Sequence, residues 1–309
     1  MTKRITIASA VVLMAGLWLV SDTRTGQTQA AGTPATLTVG IYAPTVEFAN
    51  ASARLQYVQR LSKAIESGTG AKVTGKSYSS LGALKKAKPD FAIVDAQCYA
   101  TNLKWPLLAN GKTKGKGSTS WGLYSRVGGG MPGLKGKKLA FVKMGCRDND
   151  FLFNAMLESE VTSGHFGGRV GKQSLQGAVA QVASFKGAAA VFAPSGSQKG
   201  LTKVFNTGSV PGPAFVQLNG KLKKGVVGKV KTAVVGYGGG GAISGWGGAN
   251  GKAYSSLKSR MGKRVKRPMF AQPSPVRLSG KNVIKAPKTL ADAALTDVKQ
   301  HFEEPPARQ

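Results

Sequence analysis

The segment Lys143-Met-Gly-Cys-Arg-Asp-Asn-Asp-Phe-Leu-Phe153 gathers a thiol, a guanidinium, two carboxylates and an amide directly behind an apolar run, Lys138-Leu-Ala-Phe-Val142. That order reads as a buried strand, a glycine turn and a helix start. The first N–H groups of such a helix lack partners and stand at its positive end, which makes a seat for an anion. Arg147 would add a planar, two-pronged donor. Asp148 and Asp150 have another use, because a carboxylate at a helix start caps the same N–H groups. If Arg147 pairs with Asp148, the seat is partly neutralised.

A second cluster, Asp95-Ala-Gln-Cys-Tyr99, follows the apolar run Phe91-Ala-Ile-Val94. An acid just beyond a buried strand needs a partner, whether Arg147, a lysine or a ligand amine. Cys98 and Cys146 are the only cysteines, and both come just after strands. Three readings stay open for them: a disulfide, two separate buried thiols, or a thiol or metal ligand role. Distance decides, since bridged Cα atoms are rarely more than about 7 Å apart. Catalysis finds little support. His165 and His301 stand outside any strand-end loop with a neighbouring nucleophile, and Cys146 has no recognisable base. The glycine runs Gly238–Gly241 and Gly245–Gly248 lack the Gly-Lys-Ser/Thr of a phosphate loop and read as a flexible link. No metal or cofactor is expected.

Charge narrows the partners. The formal net charge is +31, and between Glu160 and Asp292 there are 21 Lys and Arg but no acid. Such a field attracts phosphate, anionic polysaccharide, acidic headgroups or nucleic acid without choosing among them. Aromatic residues do not alternate with the basic ones as a base-stacking surface requires, so no specific nucleic acid is expected. An envelope polyanion stays open as a partner. At the N-terminus, Lys3 and Arg4 precede an apolar core from Ile5 to Val20 and a polar stretch with small residues. This is the three-part pattern of a secretory signal peptide, with cleavage expected near Ala30 or Ala31 and a periplasmic mature protein.

The elements that must position the two clusters alternate. Strands are expected at Leu37–Tyr42, Lys72–Tyr78 and Phe91–Val94, with helices at Ala49–Ile65 and from Ser80. After the glycine-rich Val127–Gly133 a second unit follows: strand Lys138–Val142, helix Asn149–Glu158, helix Ser174–Ser184 and strand Gly187–Ala193. A return strand at Ala214–Leu218 and a helix at Lys221–Val235 come next. The fold class is α/β with two lobes and a central ligand cleft at the carboxyl ends of the strands. The expected division is 1–30 signal peptide, 31–126 with 211–245 as lobe one, 127–210 as lobe two, and 246–309 as a basic extension. That extension is expected to hold a basic helix at Lys252–Arg267, a Pro-interrupted stretch Ser274–Pro287 and an amphipathic helix Leu290–Phe302.

Several segments, in order, resemble the phosphate/phosphonate-type solute-binding proteins of ABC importers, with the type II periplasmic-binding fold. They are Val39-Gly-Ile-Tyr42, Asp90-Phe-Ala-Ile-Val-Asp-Ala-Gln-Cys-Tyr99, Leu134-Lys-Gly-Lys-Lys-Leu-Ala-Phe-Val142 and Val210-Pro-Gly-Pro-Ala-Phe-Val216. The third is the most specific, and the resemblance runs from about Leu37 to Gly236. It implies a binding protein without enzymatic activity, capturing a small anionic solute for an ABC permease or a membrane sensor. In such proteins the loop after the Ala-Phe-Val strand holds the anion with Ser/Thr hydroxyls. The matching positions here are Cys146, Arg147, Asp148 and Asn149, a departure that puts the ligand in doubt. Tyr42, Thr45, Asp95, Gln97 and Tyr99 join them as strand-end candidates. Trp121 matches a position that is often aromatic, and Ser174, Gln176 and Ser195 stand where donors could reach an anion. Helix capping is the competing role of Ser174, and core packing that of Tyr99 and Trp121.

Overall fold

The computed structural model describes residues 36–184, 187–195, 198 and 200–263. The expected signal peptide and cleavage site, the Ser274–Pro287 stretch and the Leu290–Phe302 helix lie outside these residues. Lobe one begins with β1 (Thr36–Tyr42), α1 (Ala51–Thr69), β2 (Lys72–Ser77), α2 (Leu81–Ala87), β3 (Phe91–Val94), α3 (Ala96–Ala100) and β4 (Leu107–Lys112). Asn50 and Ser80 start α1 and α2 by accepting from the backbone N–H of Ala53 and Ala83, at 2.8 and 3.0 Å. Lobe two follows with β5 (Ser118–Ser125), a short α4 (Gly130–Gly133), β6 (Lys138–Val142), a π-helical turn (Asp150–Met156), β7 (Gly168–Lys172), α5 (Leu175–Ala183), β8 (Ala190–Pro194) and β9 (Thr202–Pro211). The chain then returns through β10 (Ala214–Gln217), α6 (Lys224–Gly236), β11 (Gly245–Gly248) and α7 (Lys252–Gly262).

Two mixed sheets result. The first runs β11-β4-β10-β3-β1-β2, and the second β7-β6-β8-β5-β9. In β3 the period of two sorts side chains onto opposite faces: Phe91 and Ile93 pack with Tyr57, Leu61 and Ile65 of α1, while Ala92 and Val94 join the other core. Helix α1 rests so closely on β2 that a Cβ at Gly75 would come 2.7 Å from the carbonyl oxygen of Val58, so only glycine fits there. The second core does not stop at the lobe boundary. It runs from Ala92, Val94 and Cys98 through Tyr254 and Leu257 of α7 into Leu139, Phe151 and Leu152 of lobe two.

The sheets relocate several expected boundaries. Because β5 pairs with β8 and β9, the chain leaves lobe one between Lys112 and Ser118, ahead of the expected 126–127, and Trp121 belongs to lobe two. It returns at Gly212–Pro213, where Gly212 N–H donates to Gly117 O at 2.8 Å and Gly111 N–H to Pro213 O at 2.7 Å. Far from being a flexible link, Gly245–Gly248 is an edge strand on β4. Its Trp246 is buried and donates its indole N–H to the Tyr57 hydroxyl at 2.9 Å. A boundary at 246 therefore cuts lobe one's own sheet. The expected helix Lys252–Arg267 ends at Gly262 within the described residues, and Asn149–Glu158 contracts to the π-helical turn. Helix α7 spans the lobes. Tyr254 packs edge-on against Tyr99 and donates to Gly212 O at 3.1 Å, while Arg260 donates to Ser209 O at 2.8 Å and to Ala155 O at 3.3 Å.

Candidate functional site

The carboxyl ends of β1, β3 and β6 meet between the lobes, and the two sequence clusters face each other there. Cys98 and Cys146 are joined in a disulfide with Cα atoms 5.0 Å apart, so no thiol remains for ligand contact or catalysis at Cys146. Beside the bond, Gln97 donates through Nε2 to Cys146 O and to Asp148 Oδ1, both at 2.8 Å. Tyr42 donates its hydroxyl to Met144 O at 3.1 Å, and Leu175 N–H donates to Pro44 O at 3.1 Å. Burial, with the nearby Asp95 and Asp148 charges, pushes the Tyr42 hydroxyl well above its usual pKa, so it stays a neutral donor.

The loop after β6 differs from the expected anion seat. Asp148 accepts from Gly145 N–H at 3.0 Å and from Cys146 N–H at 3.4 Å, so its carboxylate turns back onto two amides of the loop instead of capping the helix that follows. Arg147, with φ of 58°, turns out to the exposed flank near β7 and pairs with Asp150 at 2.7 Å. Asn149 accepts from Arg169 on the same flank. The space left around Thr45, Gln97, Trp121 and Asp148 is only about 10 Å³, at the lower limit for one water.

A much larger cavity, about 470 Å³, adjoins this seam. Its walls are the Thr45–Ala49 loop, the Ala53–Tyr57–Arg60 face of α1, the two chain crossings, Trp121, Pro194 and the Gly240–Ala242 loop. Phe48, Tyr57, Trp121, Pro194, Pro211 and Pro213 give it a largely carbon lining. At the mouth Lys114 pairs with Glu47 at 2.8 Å, and Arg60 and Gln56 are exposed. The buried acid in its lining is Asp95, only 2% exposed, whose Oδ2 accepts from Thr45 N–H at 3.0 Å and whose Oδ1 accepts from the Thr45 hydroxyl. Among the described residues neither Arg147 nor any lysine pairs with it. Burial raises its pKa from 3.8 to about 6, opposed by the Thr45 hydrogen bonds and the Arg54 charge.

Of the residues singled out in the sequence, Thr45, Asp95 and Trp121 therefore line the cavity, while Tyr42, Gln97, Cys146 and Asp148 close the seam. Tyr99 is core against Tyr254. Ser174 caps α5 by accepting from Gly177 N–H at 3.1 Å, and Gln176 is exposed. Ser195 donates its N–H to Ser120 O at 2.7 Å, and its buried hydroxyl has no hydrogen-bond partner among the described residues. Sequence reasoning missed Phe48, Tyr57 and the proline pair of the crossing. The spacing Tyr57-Val58-Leu61-Ile65 was the available signal, and it sets the buried face of α1 away from Leu55, which is exposed. Among the described residues no group of His, Cys, Asp or Glu could hold a metal ion.

No family model matches the sequence, and no curated protein matches it either. Solved structures do. PhnD1 from Prochlorococcus marinus, in complex with methylphosphonate, is 15% identical with a TM-score of 0.56, over 74% of this chain and 97% of that one. A binding protein component of an ABC phosphonate transporter from Pseudomonas aeruginosa is 10% identical with a TM-score of 0.57, over 86% and 95%. A Xanthomonas citri protein bound to ATP is 10% identical with a TM-score of 0.53, over 74% and 97%. At such identities it is the architecture that is shared: the chain has the two-lobe periplasmic-binding-protein fold.

Proposed function

We propose that the chain is an exported solute-binding protein that holds a small solute between its lobes and presents it to an ABC permease or a membrane sensor. The observation that carries this reading is the cavity of about 470 Å³ between the lobes, within the usual range for small-molecule sites, in a fold shared with solute-binding proteins. Binding would act through a higher affinity for the closed arrangement, with no covalent step. Export is supported by the basic pair, apolar core and small residues of the first 30 positions. Among the described residues no helix is long and apolar enough to cross a membrane.

An anionic, phosphonate-like solute is supported by the methylphosphonate of the Prochlorococcus marinus protein. Against it stands the β6 loop, two of whose amides are taken by the Asp148 carboxylate and whose arginine faces outward. A second reading, capture of an envelope polyanion, draws on the net charge of +31. Thermal-shift titrations with a broad library of small solutes, phosphate and methylphosphonate included, set against heparin at rising salt, separate the two. Stabilisation by a small solute that survives salt supports the first. Steeply salt-dependent heparin binding, with no small solute bound, would replace it with the second.

A further inference from the structure

The cavity beside the disulfide is chemically unlike an anion site. Its walls are rings and prolines: Phe48 and Tyr57 from lobe one, Trp121 and Pro194 from lobe two, and Pro211 and Pro213 at the crossing. The Phe48 and Tyr57 rings lie 5.7 Å apart and tilted, forming one aromatic wall. The Tyr57 oxygen accepts from the Trp246 indole N–H, which fixes the ring as part of that wall. The cations near the cavity stand at its rim in water, where Lys114 is already paired with Glu47 and an exposed guanidinium at Arg60 is screened. Inside, the ionisable group is a carboxylate. Asp95 has no ion-pair partner among the described residues, and Thr45 supplies its hydrogen bonds. A carboxylate has about four acceptor positions, so Asp95 retains capacity for a further donor. The nearest guanidinium acting on it, Arg54, donates its Nε–H to Ser77 instead. A protein of charge +31 thus places a buried acid, and no buried base, in the lining of this cavity.

Resting on the reading that this cleft holds a small solute, we propose that the solute is a flat or branched apolar molecule carrying a single ammonium group. Its body lies between the Phe48–Tyr57 wall and Trp121, and its ammonium donates to Asp95. A ring face beside the cation would add to that attraction. An anion of similar shape would bring its charge next to a buried carboxylate, so the site selects by charge as well as by fit.

Tryptamine, tryptophol, indole-3-acetate and methylphosphonate test this as titrants of the full mature protein in calorimetry. The first three share one ring system and differ only in head group. Tryptamine is expected to bind tightest, tryptophol more weakly and indole-3-acetate not measurably. Asp95→Asn should weaken tryptamine by about tenfold or more while changing tryptophol less than about threefold. Phe48→Ala, on a surface loop, should weaken both indoles alike, and melting of each unliganded variant checks that it folds. Tighter binding of indole-3-acetate or methylphosphonate than of tryptamine overturns the assignment of ligand class but leaves the solute-binding reading standing. Tryptamine affinity unchanged in Asp95→Asn, or no binding by any indole, overturns it too. The broader solute library decides the underlying reading separately.

Discussion

The bond between Cys98 and Cys146 ties α3, just beyond the carboxyl end of β3, to the loop after β6, so its removal should loosen the two lobes as well as destabilise the fold. Its members are 48 residues apart in sequence, for which the loop-closure entropy of the unfolded chain gives about 4 kcal/mol at 25 °C. For a folded body of roughly 150–250 residues each kcal/mol moves Tm by about 2–4 °C, which sets an expected drop of about 8–16 °C. Calorimetry of the protein with and without a phosphine reductant, and of the Cys98→Ala/Cys146→Ala double variant, measures this. Alanine is chosen because both sulfurs are buried and a serine hydroxyl would add an unpaired donor. Small-angle scattering of the same samples should show an increase in radius of gyration confined to the reduced and double-alanine forms. Two titratable thiols in unreduced, denatured protein would refute the reasoning outright. A Tm change below about 3 °C would show that the rest of the seam holds the lobes without the bond.

Asp95 should leave a pH signature of opposite sign to that of a salt-bridged carboxylate. Its pKa rises from 3.8 to about 6 on folding, so the folded state holds the proton more tightly and stability falls as pH rises between those values. The loss is about 3 kcal/mol, read as the difference between wild type and Asp95→Asn in denaturant titrations from pH 3.5 to 7.5; a difference that grows in the other direction would contradict the burial argument. Gly212→Ala should cost more than about 2 kcal/mol in urea unfolding, because its Cβ would lie 2.1 Å from Gly111 O where the two crossings bond. Tyr254→Phe should cost about 1–2 kcal/mol, since the hydroxyl donates to the carbonyls of Gly212 and Pro213 in the core, and a neutral result would deny that role. Arg147→Ala, by contrast, should leave solute affinity within about twofold and stability within about 0.5 kcal/mol, because its pair with Asp150 is on the exposed flank.

Where the chain's own chemistry decides structure locally, the sequence sufficed. Phe91–Val94 and Lys138–Val142 form strands with those bounds, since uninterrupted apolar runs of that length suit sheets covered on both faces. Asn50, Ser80 and Ser174 start helices as capping residues do. The two clusters around Asp95 and Cys146 were also recognisable as strand-end loops facing one cleft. Less visible were strands such as β5, β9 and β11, whose Gly, Ser and Thr content carries no strong period and whose pairing partners lie far along the chain.

The direction of side chains within those loops belonged to the tertiary structure alone. Nothing local says that Arg147 adopts a left-handed backbone and swings outward, that Asp148 turns back onto the amides of Gly145 and Cys146, or that Gln97 reaches across to Cys146 O and the Asp148 carboxylate. Nor does spacing place Cys98 within bonding distance of Cys146, since that depends on the docking of two lobes. Composition and periodicity thus determined which strand ends would meet at the cleft, because strand ends and caps are set by neighbours in sequence. Whether the cleft is lined by a buried base or a buried acid was decided only by the tertiary structure, because burial and partnering of a charge depend on groups distant in the chain.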